Sequence, residues 1–296
     1  MNYIDVFYQS DDGLRLYARD YPSAVSSAPV ILCLPGLTRN SKDFAQLAHQ
    51  LQETHRVICP DQRGRGRSAR DPDAANYRPD KYALDMFSLL NVLQLKEVVI
   101  IGTSLGGLMA ILMIASAPTR IKAAVLNDVG PEVDPRGVAR ITGYVGKTLP
   151  ANNWEEAVQQ TASINAAAFP DFGLHEWQTM ARDLYIQEGR VPVLDYDPAI
   201  AQGLASGTAA PNLWPLFDAV GDKPMLVIRG QDSDILSVET LAEMSRRLPQ
   251  LVSLNIARRG HAPTLTEPEA HKAICQFLDG IAKPIEIRPG AVIAFQ

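Results

Sequence analysis

The chain has 296 residues, of which 46% are hydrophobic and 21% are charged. This composition is close to that of an average soluble globular protein, so it excludes an intrinsically disordered chain and a small fold that depends on disulfides. The 28 basic and 33 acidic residues give a net charge of −5, which offers no attraction to nucleic acid or to an anionic membrane. The length predicts two domains, or one large α/β domain with an insertion.

The cysteines, the N-terminus and the apolar runs indicate the cellular location of the protein. Cys33, Cys59 and Cys275 are widely spaced and match neither a disulfide framework nor a zinc site, so we expect reduced thiols. The N-terminus lacks the pattern of a signal peptide. The longest apolar run, Leu105–Ala117, is shorter than the roughly 18 residues of a membrane span. The sequence therefore predicts a cytoplasmic protein without a membrane partner.

Strand and helix patterns alternate along most of the chain. Ile4–Gln9 and Leu14–Asp20 alternate apolar and polar residues around an Asp-Gly turn, which predicts a hairpin. Six more strands are predicted at Val30–Leu34, Val57–Cys59, Val98–Ile101, Lys122–Asn127, Met225–Arg229 and Leu251–Ala257. Helices are predicted at Ser41–Glu53, Pro79–Leu95, Leu105–Ala117, Val238–Leu248 and Pro268–Ile281. The alternation predicts an α/β fold, with a mostly parallel eight-stranded sheet and helices on both faces.

The alternation stops at about residue 131 and resumes near residue 215. This stretch holds all three tryptophans, has ten acidic and five basic residues, and has a mostly helical pattern. We interpret it as a helical cap, residues 131–215, inserted into a core formed by residues 1–130 and 216–296. An aromatic insertion between two strands is expected to cover a site at the strand ends. Its acidity is explained most simply by a solvated helical face, with an acidic cover that disfavours anionic substrates as the alternative. Its apolar, aromatic character favours small to medium neutral esters.

Gly102-Thr103-Ser104-Leu105-Gly106 directly follows a predicted strand and precedes a predicted helix. In a G-x-S-x-G turn of this kind the serine is held in a strained conformation, and the glycines allow close backbone approach. The N-terminus of the next helix favours negative charge that develops beside the serine. Ser104 is therefore the predicted nucleophile.

A serine nucleophile needs a base, and histidine exchanges protons near neutral pH. His261 follows the last predicted strand, in a loop at the edge where the serine lies. The other four histidines lie in predicted helices, at the start of a strand or in the insertion. His261 is therefore the predicted base.

A carboxylate must orient the histidine, and three candidates follow predicted strands. Asp128 follows one strand, and Asp232 and Asp234 follow the next. All satisfy the order serine, acid, histidine, and Asp128 has the alternative interpretation of a cap at the entry to the insertion. We expect Asp234 to be the catalytic acid.

An acyl-transfer site also needs two amide donors for the oxyanion. The amide of Leu105, next to the serine, is one predicted donor. The other is expected in the loop after Val30–Leu34, where Gly36 permits a sharp turn and the amide of Leu37 follows it. Substrate contacts are expected from Thr38 in that loop and from Trp214 and Ile235.

Five motifs in this order resemble the α/β-hydrolase superfamily, in its serine esterase and lactonase-like branch. They are Pro35-Gly36-Leu37-Thr38, Asp61-Gln62-Arg63-Gly64-Arg65-Gly66-Arg67-Ser68, Gly102-Thr103-Ser104-Leu105-Gly106-Gly107, Arg229-Gly230-Gln231-Asp232-Ser233-Asp234 and Gly260-His261-Ala262-Pro263. The resemblance extends from about residue 4 to residue 281. It implies a triad of Ser104, Asp234 and His261, an oxyanion hole from Leu37 and Leu105, a helical cap and no cofactor or metal.

The hypothesis from the sequence is a serine hydrolase of the carboxylesterase type, acting on small-molecule esters. Lactone or thioester hydrolysis and carbon–carbon bond hydrolysis use the same machinery and stay open. So does a function of another class, a small-molecule receptor that keeps the triad with negligible turnover. Specificity, enantiopreference and oligomeric state depend on features that these motifs do not define.

Overall fold

The structure is a computed structural model that describes residues 3–25, 27–205 and 212–282. Its main sheet has eight strands in the order β1-β2-β4-β3-β5-β6-β9-β10. These strands are β1 (Ile4–Gln9), β2 (Arg15–Tyr21), β3 (Val30–Leu34), β4 (Val57–Asp61), β5 (Val98–Thr103), β6 (Ile121–Asn127), β9 (Met225–Gly230) and β10 (Val252–Ile256). β2 runs antiparallel to both of its neighbours, β1 and β4, and the other pairs in this sheet are parallel, so the predicted mostly parallel eight-stranded sheet is confirmed.

Helices cover both faces of the sheet because its central strands are buried on both sides. Residues of β5 such as Val99 and Ile100 have no exposed surface, as continuous apolar runs require. One face packs against α2, α3, α8 and α9, and the other against α1 and α10. These helices are α1 (Ala45–Leu51), α2 (Pro79–Val92), α3 (Leu105–Ser116), α8 (Trp214–Asp218), α9 (Val238–Arg247) and α10 (Pro268–Ala282). A short 3₁₀ turn, Ser41–Phe44, leads into α1.

The elements between β6 and α8 lie outside the main sheet, and we call residues 135–205 the cap segment. It contains α4 (Pro135–Tyr144), α5 (Trp154–Asn165), α6 (Leu174–Leu184), β7 (Tyr185–Glu188), β8 (Val191–Leu194) and α7 (Ile200–Ala205). The antiparallel pair of β7 and β8 was not predicted, and Gly189 supplies the positive φ of 57° at its turn. Cap segment residues form a third apolar cluster of their own, around Phe169 and Trp177.

Residues 206–211 of the predicted insertion and residues 283–296 of the predicted core lie outside the described residues. In the part of the chain that the structure describes, no helix is long and apolar enough to cross a bilayer. The boundaries 131 and 215 stay predictions.

The parallel strands bring the predicted motifs together. Strands β3, β5, β6, β9 and β10 point the same way, so the loops after their carboxyl ends meet at one edge of the sheet. The serine follows β5, and the histidine loop follows β10. Between them in the sheet lie β6 and β9, whose loops carry the three candidate carboxylates.

Candidate active site

Ser104 lies at a strained turn between β5 and α3. Its φ and ψ angles are 54° and −117°, a conformation that non-glycine residues rarely adopt. A Cβ on Gly102 would lie 2.4 Å from the Gly106 oxygen, and a Cβ on Gly106 would lie 2.0 Å from the Leu34 oxygen. Both glycines are therefore required by close backbone contacts, which hold the serine hydroxyl at the end of the strand.

The hydroxyl of Ser104 contacts the imidazole of His261. Ser104 Oγ lies 2.8 Å from His261 Nε2, and the other ring nitrogen, Nδ1, lies 2.8 Å from Asp128 Oδ2. Only 9% of the His261 side chain is exposed, and the Asp128 side chain is fully buried. The structure thus links serine, histidine and carboxylate in one hydrogen-bonded chain, and the carboxylate is that of Asp128.

Asp128 occupies a site that is built for a carboxylate. Its backbone has a positive φ of 57°, and its own N–H donates to the Ile228 oxygen of β9. The Gly230 N–H donates to Oδ1 at 2.8 Å, and the Ser233 hydroxyl donates to Oδ2 at 2.6 Å. With His261, three donors from two other loops satisfy this buried group, as a buried carboxylate requires.

The Ser233 hydroxyl has its single proton directed at Asp128. Ser233 Oγ accepts hydrogen bonds from the N–H groups of Ile235 and Leu236 at 3.1 and 3.0 Å. Because a hydroxyl has one donor and two acceptor positions, these two amides leave its proton for the carboxylate. Ser233 therefore both shapes the loop after β9 and donates a hydrogen bond to the buried Asp128 carboxylate.

The expectation that Asp234 orients the histidine is wrong in this structure. Asp234 Oδ2 and Oδ1 accept from Nε and Nη2 of Arg140, on α4, at 2.6 and 2.8 Å. The hydrogen bonds from Arg140 lower the pKa of Asp234, although partial burial raises it. The loop turns at Ser233, so the next side chain points to the cap segment. The third candidate, Asp232, is exposed.

The predicted oxyanion loop lies beside the serine. A Cβ built on Gly36 would be 3.7 Å from Ser104 Cβ, so the two backbones approach closely. The Gly36 carbonyl accepts from the Arg39 N–H inside a turn, and the Leu37 carbonyl accepts from buried Arg65 at 2.8 Å. The N–H of a peptide points opposite to its carbonyl, so the Leu37 N–H faces away from this turn. The Leu105 N–H is among the free donors at the start of α3.

A cavity of about 540 Å³ opens over Ser104 and His261. Thr38, for which a substrate contact was predicted, lines it, and aromatic side chains of the cap segment form much of its wall. These are Tyr144, Phe169, Phe172, Tyr185 and Tyr196. His175, which the sequence placed only in the insertion, also lines it. Its size and apolar wall suit a small molecule.

Trp214 and Ile235 do not line this cavity, contrary to expectation. Trp214 packs edge-on against Phe217 and beneath the guanidinium of Arg247, and its indole N–H donates to Glu132. Ile235 is buried, and a Cβ on Gly137 of α4 would lie 2.4 Å from its Cδ1. Trp214 therefore packs on the core, whereas Ile235 packs between the core and α4 of the cap segment.

One part of the cavity wall is charged. Arg39, the residue after Thr38, lines it together with Asp43, Lys42 and Asp183. Arg39 Nε donates to Asp43 Oδ2 at 2.6 Å, and Lys42 pairs with Asp195 at 3.1 Å. Burial, reinforced by the charge of Asp43, raises the pKa of Asp183 to about 6. No role was predicted for these four residues from the sequence.

The cap segment also contacts the histidine loop directly. The Gly260 N–H donates to the Ala168 oxygen at 2.9 Å, and a Cβ on Gly260 would lie 2.8 Å from Ala168 Cα. The neighbouring Arg259 pairs with Asp171 at 2.6 Å. The residues just before His261 are thus held by the cap segment as well as by the core.

A family profile described as the alpha/beta hydrolase fold matches residues 29–268. The chain belongs to the α/β-hydrolase family. Two of its relatives, at 35% and 27% identity, are named as a hydrolase and an esterase, and this α/β-hydrolase is a hydrolytic enzyme.

Three comparisons illustrate the relationship. The α/β-hydrolase is 35% identical over 266 residues to a 3-hydroxybutyrate-oligomer hydrolase of Cupriavidus necator, covering 85% of this chain and 88% of that protein. It is 27% identical to an Escherichia coli esterase, covering 90% and 99% of the two chains. A crystal structure of an α/β hydrolase from Novosphingobium aromaticivorans has a TM-score of 0.89 and 43% identity, covering 94% and 98% of the chains.

Proposed function

We propose that this enzyme is a serine hydrolase that cleaves small to medium carboxylic esters through an acyl-enzyme on Ser104. The observation that carries the proposal is the hydrogen-bonded chain from Ser104 through His261 to Asp128. In this proposal Asp128 takes the role that the sequence analysis gave to Asp234.

The geometry supports a two-step reaction. His261 Nε2 takes the proton of Ser104 as the oxygen attacks the ester carbonyl, and it then gives that proton to the departing alkoxide. A water molecule replaces the alcohol, is deprotonated by the same nitrogen, and attacks the acyl-enzyme to release the acid. Throughout, Asp128 keeps Nδ1 protonated and stabilises the imidazolium.

The oxyanion of each tetrahedral intermediate is proposed to bind the N–H groups of Leu37 and Leu105. Arg65 fixes the first of these indirectly, because it holds the Leu37 carbonyl from a fully buried position. Loss of one such donor typically costs about 2.7–4 kcal/mol of transition-state stabilisation. Donors supplied by backbone need no side-chain rearrangement when charge develops.

The choice of an ester as substrate rests on relatives as well as on the site. One relative is named as an esterase, and another acts on 3-hydroxybutyrate oligomers, in which the units are joined through ester bonds. The volume of the cavity and its aromatic wall fit a small or medium-sized ester better than a polymer.

The test is a panel of 4-nitrophenyl esters of increasing chain length, together with lactones, thioesters and a β-diketone. We expect ester turnover with a burst of 4-nitrophenolate, and we expect Ser104→Ala to lose the burst and at least about 10⁴-fold in kcat.

The same panel separates the competing functions. Faster turnover of the thioesters, lactones or β-diketone would replace the ester assignment with that chemistry. Saturable binding without turnover of any member would indicate a receptor instead. Burst kinetics that persist in Ser104→Ala would refute the nucleophile.

A further inference from the structure

The stem of the Arg39 side chain lies close to the nucleophile. A single point, the Cβ position built on Gly36, lies 3.5 Å from Arg39 Cγ and 3.7 Å from Ser104 Cβ. The arginine stem and the serine therefore flank the same piece of the oxyanion loop. The Arg39 side chain is 23% exposed, and both it and Ser104 line the cavity.

The Arg39 guanidinium is held in one orientation by a hydrogen bond, and some of its N–H donors are left for a ligand. Its Nε donates to Asp43 at 2.6 Å, which fixes the plane of the group. Its two terminal nitrogens, which carry four N–H donors, make no hydrogen bond to any described residue and are not enclosed away from solvent. A fork of parallel N–H donors is the arrangement that binds a carboxylate through both oxygens.

We propose that Arg39 is the anchor for a free carboxylate on the substrate, so that the enzyme acts on esters of carboxylate-bearing molecules rather than on neutral esters. This rests on the proposed function, because it assigns a further part of the same substrate. The aromatic wall of the cavity holds the apolar portion, and Arg39 fixes the charged end within reach of Ser104.

The carboxylates around Arg39 set how strongly it binds an anion. Asp43 is its partner, and Asp183 faces the same region from α6 of the cap segment, with no hydrogen bond to its carboxylate among the described residues. Lys42 adds a positive charge that Asp195 offsets. Asp183 is thus a like charge facing an anionic substrate, and its removal should strengthen binding.

The experiment compares each acid with its methyl ester in two pairs. 4-Nitrophenyl hydrogen glutarate and 4-nitrophenyl methyl glutarate carry the difference on the acyl side, with nitrophenolate release as the readout. 3-Acetoxybutyrate and its methyl ester carry it on the alcohol side, with acetate release as the readout. We expect the wild type to prefer the acid in one pair, which identifies the side that Arg39 binds.

The variants Arg39→Gln, Arg39→Lys and Asp183→Asn test the assignment. Arg39→Gln should lower kcat/KM about 10- to 100-fold for the acid and less than about threefold for its methyl ester, mainly through KM. Arg39→Lys should be intermediate, because it keeps the charge but lacks the fork. Asp183→Asn should raise kcat/KM for the acid at pH 7.5, and this gain should disappear at pH 5, where Asp183 of the wild type is itself protonated.

The control is Arg136→Gln, which removes an exposed arginine of α4 that pairs with Asp134. Equal effects of Arg39→Gln on both members of a pair, or no acid preference in either pair of a wild-type enzyme that hydrolyses neutral 4-nitrophenyl esters, would overturn the carboxylate site alone. If the wild type hydrolyses no ester in the panel, the proposed function fails and this inference fails with it.

Discussion

Two carboxylates on neighbouring loops lie near one histidine and have opposite surroundings. Asp128, after β6, is fully buried and receives hydrogen bonds from Gly230, Ser233 and His261, and no lysine or arginine among the described residues pairs with it. Asp234, after β9, is 32% exposed and gives both oxygens to Arg140. A carboxylate already neutralised by an arginine gains little by turning to an imidazolium. The difference shows that the partners of an acid, more than its place in the chain order, decide its role.

The largest expected difference in kcat comes from replacing Asp128 and Asp234, one at a time, by asparagine. Asp128→Asn should lower kcat about 10⁴-fold, because an amide can stabilise the wrong histidine tautomer and cannot stabilise the imidazolium. Asp234→Asn should change kcat less than about fivefold. Steady-state kinetics on one activated ester, with circular dichroism to verify folding, compares the two variants. The reverse order of effects would return the catalytic role to Asp234.

Asp183 extends the comparison to a partly buried carboxylate that accepts no hydrogen bond from any residue that the structure describes. Its pKa is raised from the ordinary 3.8 to about 6, so the unfolded chain ionises first and the native state loses stability as pH rises from about 4 to 6. Asp183→Asn should therefore raise the free energy of unfolding by about 2 kcal/mol more at pH 7.5 than at pH 4.5. Urea unfolding at the two pH values measures this difference. If Asp183→Asn raises the free energy of unfolding equally at both pH values, burial of the ionised Asp183 carboxylate does not destabilise the native state.

Ser233 tests the donor side of the Asp128 site. Ser233→Ala should lower kcat/KM about tenfold, the usual effect of losing a hydrogen bond to a charged group. The acid limb of the pH profile should move to higher pH, because a carboxylate with fewer donors holds the imidazolium more tightly. Ser233→Thr should restore the profile, and Asp232→Ala on the same loop is the matched control. A tenfold loss with an unshifted profile would mean that Ser233 only shapes the loop.

The smallest effect concerns the pair of Arg140 and Asp234. This partly exposed ion pair should contribute about 0.5–1 kcal/mol to the free energy of unfolding. A double-mutant cycle of Arg140→Gln and Asp234→Asn, followed by urea unfolding, measures the coupling. A coupling of zero would mean that the contact between α4 and the core rests on packing alone, around Gly137 and Ile235.

The sheet and the position of the serine could be predicted because each follows from a local pattern. Continuous apolar runs identified the central strands, and the two glycines around Ser104 are explained by backbone contacts that no side chain could share. The choice between Asp128 and Asp234 could not be made locally. It depends on Arg140, which is 94 residues away from Asp234 and belongs to the cap segment.

The cap segment was predicted least well for a similar reason. Trp214 was expected in the cavity because it is large and aromatic, yet Glu132 and Arg247 hold it on the core. The cavity instead takes Phe169 and Phe172 from the segment between α5 and α6. Arg39 carried a signal that went unused, since it is the next residue after the predicted contact Thr38. Which side of a helix or loop faces a cavity depends on partners distant in the sequence.

The backbone contact between Gly260 and Ala168 has a consequence for engineering this enzyme. Because the loop that carries His261 is hydrogen-bonded to the cap segment, the cap segment is not an independent module that can be shortened or exchanged to widen access to the cavity. A cap segment taken from another hydrolase would need a backbone carbonyl that accepts from the Gly260 N–H. It would also have to approach Gly260 as closely as Ala168 does. Otherwise the change would disturb proton transfer before it altered which molecules enter.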